Sequence, residues 1–140
     1  MVLARLSIPT ISKSPTTNIK GAVNYLNESL DKNLKGFIQT STSETYGTAQ
    51  YVPIDEMHPL VGQSPYAASK LAAESLLYTY SELHDFESTV LRYFTVFGPS
   101  GRPDMAPYRF AEWIRKGEAI QLFGDGNQTR DFTYVSDIAR

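Results

Sequence analysis

The 140-residue sequence contains no cysteine and only two histidines, His58 and His84. Without thiols, disulfides and thiolate metal sites are excluded, and two imidazoles are too few for a histidine metal cluster. No metal is expected, and both histidines read as surface or internally satisfied residues. The 13 basic and 15 acidic side chains give a net charge of −2 and form no basic stripe, so nucleic acid is not an expected partner. No apolar run approaches the roughly 20 residues a membrane helix needs, and the first residues lack the basic-then-apolar order of a signal peptide. A cytoplasmic chain without a membrane partner is expected, which leaves the sequons Asn27-Glu28-Ser29 and Asn127-Gln128-Thr129 without consequence. What is present is enough apolar composition, 41%, to bury a core.

Taken in order, Val2 to Leu6 is a short apolar run that could end a strand, and Ser7 to Thr17, with two prolines, is a loop. Ile19, Ala22, Val23, Leu26 and Leu30 recur at helical spacing, predicting a helix from Asn18 to about Leu34, capped by Thr17 or Asn18 and stopped at Lys35-Gly36. Phe37 to Ser41 follows as a buried parallel strand. Gly47 to Gln63, with Pro53, Pro59 and Gly62, cannot continue as a helix and reads as an irregular connection. The next helix runs from Pro65 to about His84, with Leu71, Ala72, Leu76 and Leu83 among its apolar positions, and a strand from Ser88 to Phe94 follows. Strand, helix, strand implies a parallel crossover. Beyond a Gly/Pro loop the pattern predicts a helix from about Ala106 to Lys116. A strand Ala119 to Phe123, a turn Gly124 to Asn127, a strand Thr129 to Val135 and a helix capped by Ser136 complete the chain.

The chemistry concentrates between Thr40 and Lys70. Ser64 suits an N-cap and Pro65 the first helical position, which sets Tyr66 in the first turn and Lys70 one turn later on the same face. A phenol with a pKa near ~10 is a poor base at neutral pH; an ammonium beside it favours the phenolate and brings the pKa toward the working range. Tyr-x-x-x-Lys alone is a weak signal. Its distance from a hydroxyl-rich strand end, Thr40-Ser41-Thr42-Ser43-Glu44, strengthens it, because open α/β sheets bind ligands at the carboxyl ends of their strands. Thr42 then reads either as a site hydroxyl or as an ordinary turn hydroxyl.

Four blocks in order, Thr40 to Gly47, Ser64 to Lys70, Leu91 to Pro99 and Arg130 to Val135, resemble the extended short-chain dehydrogenase/reductase family of NAD-dependent nucleotide-sugar epimerases and dehydratases. Asn18-Ile19-Lys20-Gly21 resembles the start of the family's helix before the catalytic strand. Gly101-Arg102-Pro103-Asp104-Met105-Ala106 is most similar to the UDP-glucuronate 4-epimerases, whereas Ser41-Thr42-Ser43-Glu44 is more similar to 4,6-dehydratases of the GDP-mannose type.

The resemblance implies an α/β fold, a partial Rossmann-like, doubly wound parallel sheet. Its core would span about residues 1–95, and the start of a substrate-binding part about 96–140. It implies NAD as cofactor, a nucleotide sugar (a UDP-sugar first) as substrate, and a homodimer built on the Tyr66 helix. Tyr66 would take the proton of the sugar O4 while C4 passes a hydride to NAD, Thr42 would share that hydrogen bond, and Lys70 would hold the nicotinamide ribose. Thr40, Ser41 and Phe94, with Tyr93, fall on the cofactor side. Ser43, Thr95, Arg102 and Arg130 fall on the substrate side, Arg130 as a ligand of the diphosphate, a task suited to a guanidinium fork, and Arg102 as a second contact from the loop above the sugar, or else either as an ordinary surface arginine. Thr95 matches the glucuronate epimerases. Glu44 is the one residue that fits the C5 base of a dehydratase, or else an exposed loop glutamate turned away from the sugar. The sequence departs from the family in having no G-x-x-G-x-x-G turn to admit a pyrophosphate. It therefore reads as an internal piece that lacks the first strand-helix units and most of the substrate domain. An epimerase, a dehydratase, and a truncated product that only binds or interacts all remain open.

Overall fold

The computed structural model of the protein describes residues 15–32 and 34–140. The expected strand end at Val2 to Leu6 and most of the loop after it lie outside the described residues. Two compact units are present, one ending at Tyr93 and the other running Phe94–Arg140.

In the first unit the chain is already helical at Pro15, through a π-type turn Thr16–Lys20 that leads into α1, Gly21–Leu30. The loop therefore ends earlier than the sequence suggested, and neither Thr17 nor Asn18 caps the helix, because the helical turn begins upstream of both. Strand β1, Gly36–Thr42, enters a short 3-10 turn, Ser43–Tyr46, and after the connection comes α2, Pro65–His84, then β2, Glu87–Tyr93. The strands pair in parallel from Gly36 opposite Glu87 to Thr42 opposite Tyr93. Ser64 caps α2 as its sequence demands, its hydroxyl accepting from the Ala67 N–H at 3.0 Å, and Pro65 takes the first turn. Asp85, in the left-handed conformation at φ 52°, stops α2 and turns the chain into β2.

Leu26, Leu77 and Phe86 form the core, with Leu30, Leu34, Phe37, Tyr80 and Val90 around them. The buried stripe of α2 is Ala67, Ser69, Ala73, Glu74, Leu77 and Ser81. Leu83, read from its spacing as a packing residue, is 72% exposed, since it lies a half-turn off that stripe. Nor is β1 buried on both faces: Gln39 and Ser41 face inward, while Ile38 is 70% exposed. Strict alternation puts successive side chains on opposite faces, and the packed side is that of Gln39 and Ser41. His58 is buried and satisfied, its Nε2 accepting from the Gln50 N–H and its Nδ1 meeting the Pro59 carbonyl, both at 3.0 Å. His84 is exposed.

The second unit holds β3, Thr95–Phe97, α3, Ala106–Lys116, β4, Phe132–Tyr134, and a short α4, Val135–Ile138. β3 and β4 pair in parallel. Ala119 to Phe123 is not a strand: no described segment offers it a ladder, and propensity without a partner does not make one. β4 is shorter than predicted, and α4 begins at Val135, which leaves Ser136 inside the helix instead of at its cap. Gly124 and Gly126, at φ 94° and 81°, make the predicted turn, closed by Asp125 accepting from the Asn127 N–H at 3.1 Å.

Candidate active site

The carboxyl end of β1 and the first two turns of α2 meet through Lys70, whose Nζ donates to the Thr40 carbonyl at 3.0 Å. An ammonium has three donors, so two more N–H remain for a ligand at this strand end. Tyr66 lies one turn earlier on the same helix and is half-buried, as is Lys70. Thr42 ends β1 and caps the 3-10 turn: its Oγ1 accepts from the Glu44 N–H at 3.3 Å and its carbonyl from the Thr45 hydroxyl at 2.8 Å. Having accepted an N–H, the Thr42 hydroxyl keeps its own proton to donate.

The Glu44 carboxylate accepts from the Ser64 hydroxyl at 3.3 Å, so it is turned toward the cap of the helix that carries Tyr66. Ser43 is half-buried in the same turn, and Thr40 is exposed. Ser41 is 4% exposed, and its hydroxyl donates to Glu74 Oε1. Its side chain, placed on the cofactor side by the resemblance, is committed to the interior.

The sequence reading missed a buried polar group behind the site. Glu74, one turn after Lys70, receives the Arg92 guanidinium as a fork, Nη2 donating to Oε2 at 2.7 Å and Nε to Oε1 at 3.3 Å as well as to Oε2 at 3.1 Å. Arg92 also donates to the Tyr46 hydroxyl at 3.2 Å and lies 5.1 Å from the centre of that ring. The Glu74 bond raises the Arg92 pKa above its ordinary value, burial opposing it and the Tyr46 hydroxyl adding to it. Nearer the helix start, Ser69 Oγ donates to the Tyr66 carbonyl at 2.7 Å and accepts from Asn18 at 2.9 Å. A glutamate in the apolar stripe of a helix and an arginine inside the strand Val90-Leu91-Arg92-Tyr93 were the available signals, since buried charges are kept only when paired.

The remaining candidates belong to the second unit. Phe94 is exposed between β2 and β3, and Thr95 opens β3, half-buried. A groove of about 450 Å³ is lined by Val96, Phe97, Arg102, Met105 and Tyr108 among others. Arg102 pairs with Asp104 at 2.5 Å and is 70% exposed. Arg130 is exposed, donating to the Thr129 carbonyl at 2.7 Å, and is not among the groove residues.

Residues 7–140 match the family described as the NAD dependent epimerase/dehydratase family. The sequence is 45% identical over 124 residues to a UDP-glucuronate 4-epimerase of Thermodesulfobacterium geofontis, covering 89% of this chain and 38% of that protein. The Bacillus cereus UDP-glucuronic acid 4-epimerase, solved in complex with UDP-glucuronic acid and NAD, is similar with a TM-score of 0.82 at 38% identity, over 88% of this chain and 39% of that one. A dTDP-glucose 4,6-dehydratase of Streptomyces venezuelae with NAD bound gives a TM-score of 0.84 at 26% identity, over 94% and 41%. The chain thus spans about two-fifths of the length of these relatives. From the tyrosine–lysine helix behind a hydroxyl-rich parallel strand to the match along nearly its whole length, this chain belongs to the NAD dependent epimerase/dehydratase family.

Proposed function

We propose that these residues form the catalytic segment of an NAD-dependent UDP-glucuronate 4-epimerase. The observation that carries the reading is Lys70 Nζ held at 3.0 Å from the Thr40 carbonyl, one turn from Tyr66 and at the carboxyl end of a parallel strand. That donor set fits a nicotinamide nucleotide: an ammonium with protons to spare suits the vicinal hydroxyls of a ribose, and Thr40 marks the strand end where such a ligand would lie. When bound, NAD supplies the hydride acceptor for C4 of the sugar and the donor that returns the hydride.

The chain's own residues manage the proton. Tyr66 takes it from the C4 hydroxyl and gives it back, the Thr42 hydroxyl donates to the same oxygen, and the Lys70 charge keeps the phenolate accessible near neutral pH. We assign Thr95, Ser43 and Arg102 to the uronate and Arg130 to the diphosphate, a guanidinium fork matching either oxyanion. The exposed Tyr78 and Leu83 of α2 suit the homodimer that the family resemblance implies.

The 4,6-dehydratase is the second reading, favoured by a carboxylate at Glu44, two residues after Thr42. Against it stands the hydrogen bond that Glu44 accepts from Ser64. The test is a chimera in which this chain replaces the matched segment of the Thermodesulfobacterium relative, incubated separately with UDP-glucuronate and with dTDP-glucose. Interconversion of UDP-glucuronate with UDP-galacturonate is expected, and accumulation of a 4-keto-6-deoxy sugar would sink the epimerase reading.

A further inference from the structure

One buried carboxylate touches every element that carries the candidate proton chemistry. Glu74 sits two turns after Tyr66 and one after Lys70, and its side chain is 6% exposed. It accepts from Ser41 on β1, the neighbour of Thr42 and of Thr40, whose carbonyl holds Lys70. It takes the Arg92 fork from β2, where Arg92 is the register partner of Ser41, and through Arg92 it reaches Tyr46 at the end of the Thr42-capped turn. Among the described residues it is the only carboxylate in the buried stripe of α2.

Burying such a pair does little for stability compared with apolar residues of the same volume, and Ala73 and Leu77 pack the same stripe with apolar side chains. A fork bond differs from apolar packing in being satisfied at one register only. A one-residue slip of the helix means about 1.5 Å of translation and 100° of rotation, and neither Glu74 bond survives it. Apolar contacts among alanines and leucines would re-form.

We propose that Glu74 is a positioning residue, whose bonds to Arg92 and Ser41 fix the rotation and register of α2 so that Tyr66 and Lys70 face the carboxyl end of β1. This rests on the roles assigned above to Tyr66 and Lys70. It accounts for a buried glutamate and its half-buried arginine in a small unit that could have been packed without them.

The test uses the 140-residue chain carrying tyrosine labelled with carbon-13 at Cζ, the Tyr66 resonance being identified by its loss in Tyr66→Phe. Glu74→Gln and Arg92→Lys are compared with Leu77→Ala, which removes core volume from the same helix without touching the pair. Both network variants are expected to move the Tyr66 resonance and to raise the midpoint of its phenol titration as Lys70 turns away. Losing a negative charge nearby would by itself favour the phenolate and lower that midpoint, so a rise reports displaced geometry. Leu77→Ala is expected to lower the urea midpoint of unfolding and leave the Tyr66 titration in place. Arg92→Lys keeps charge and stem but not the fork, and it decides the matter should Glu74→Gln fail to fold. A Tyr66 titration unchanged in Arg92→Lys, or shifted as far in Leu77→Ala, overturns the proposal. In the chimera both network variants should lower kcat tenfold or more, with the KM for UDP-glucuronate within about twofold, the signature of lost positioning without lost binding. A chimera with no activity in any variant refutes the assigned reaction and leaves the titration to judge the register.

Discussion

The two units of the chain are built on different terms. The one ending at Tyr93 has fully buried Leu26 and Leu77, a seven-residue parallel pairing and an ion pair whose glutamate is buried. The one from Phe94 to Arg140 has three-residue strands and helices without a buried residue, and Phe97, Phe132 and Tyr134 meet edge-on while partly exposed. The candidates for proton transfer, Thr42, Tyr66 and Lys70, belong to the first; the candidate anion contacts, Arg102 and Arg130, belong to the second. A group that must meet a reacting atom within a fraction of an ångström needs surroundings that over-determine it. An arginine that meets a charged ligand can begin on an exposed loop with a local partner, such as Asp104 for Arg102, and exchange it.

The largest test of that division is Tyr66→Phe in the chimera, which should lower turnover by about 10² to 10⁴-fold with the circular dichroism unchanged, because no neighbouring group replaces the phenol as proton acceptor. Near-normal turnover would remove Tyr66 from the chemistry and blur the distinction between the units. Calorimetric titration of the 140-residue chain alone with NAD should give a Kd weaker than about 100 μM, about 5 kcal/mol of binding, since the sequence offers no glycine-rich turn for the pyrophosphate. Tighter stoichiometric binding would show that the strand end by itself suffices. Leu77→Ala should cost about 3 kcal/mol in urea unfolding, while Ile114→Ala, on a helix with nothing buried and itself 67% exposed, should stay within about 0.5 kcal/mol. Equal losses would mean that the second unit is as tightly packed as the first.

His58→Phe keeps an aromatic ring between Tyr46 and Tyr51 but strips the Gln50 N–H of its acceptor, and should cost about 1 to 3 kcal/mol. A neutral result would show that the connection from Gly47 to Gln63 does not depend on that bond. The smallest effect concerns α3, where hydrogen bonds from Arg115 and then Lys116 hold the Glu112 carboxyl below its ordinary range. A lowered folded-state pKa stabilises above the unfolded value of about 4.3 and the gain fades as pH falls below it. Protection of the α3 amides, taken relative to the intrinsic exchange rate at each pH, should therefore fall slightly below that pH, and Glu112→Gln should abolish the change.

The α2 cap, the Tyr66–Lys70 spacing, the β1–α2–β2 order and the parallel pairing were all legible in the sequence. Each is dictated locally: Ser64 and Pro65 have one best use at a helix start, and a short apolar run before and after a long helix has few places to go. The same reasoning failed where a partner decides. Ala119 to Phe123 has the composition of a strand and no ladder to join among the described residues, and Leu83 has helical spacing but points off the packed stripe.

The sequence by itself determined that a phenol stands one helical turn from an ammonium, the candidate pair for proton transfer, because that is set by residue spacing. Only the tertiary structure decided what holds them there. The bond from Lys70 to the Thr40 carbonyl, the commitment of Ser41 to Glu74 and the turn of Glu44 toward Ser64 join residues 30, 33 and 20 positions apart. No local pattern encodes such contacts, since they exist only once β1 and α2 are packed.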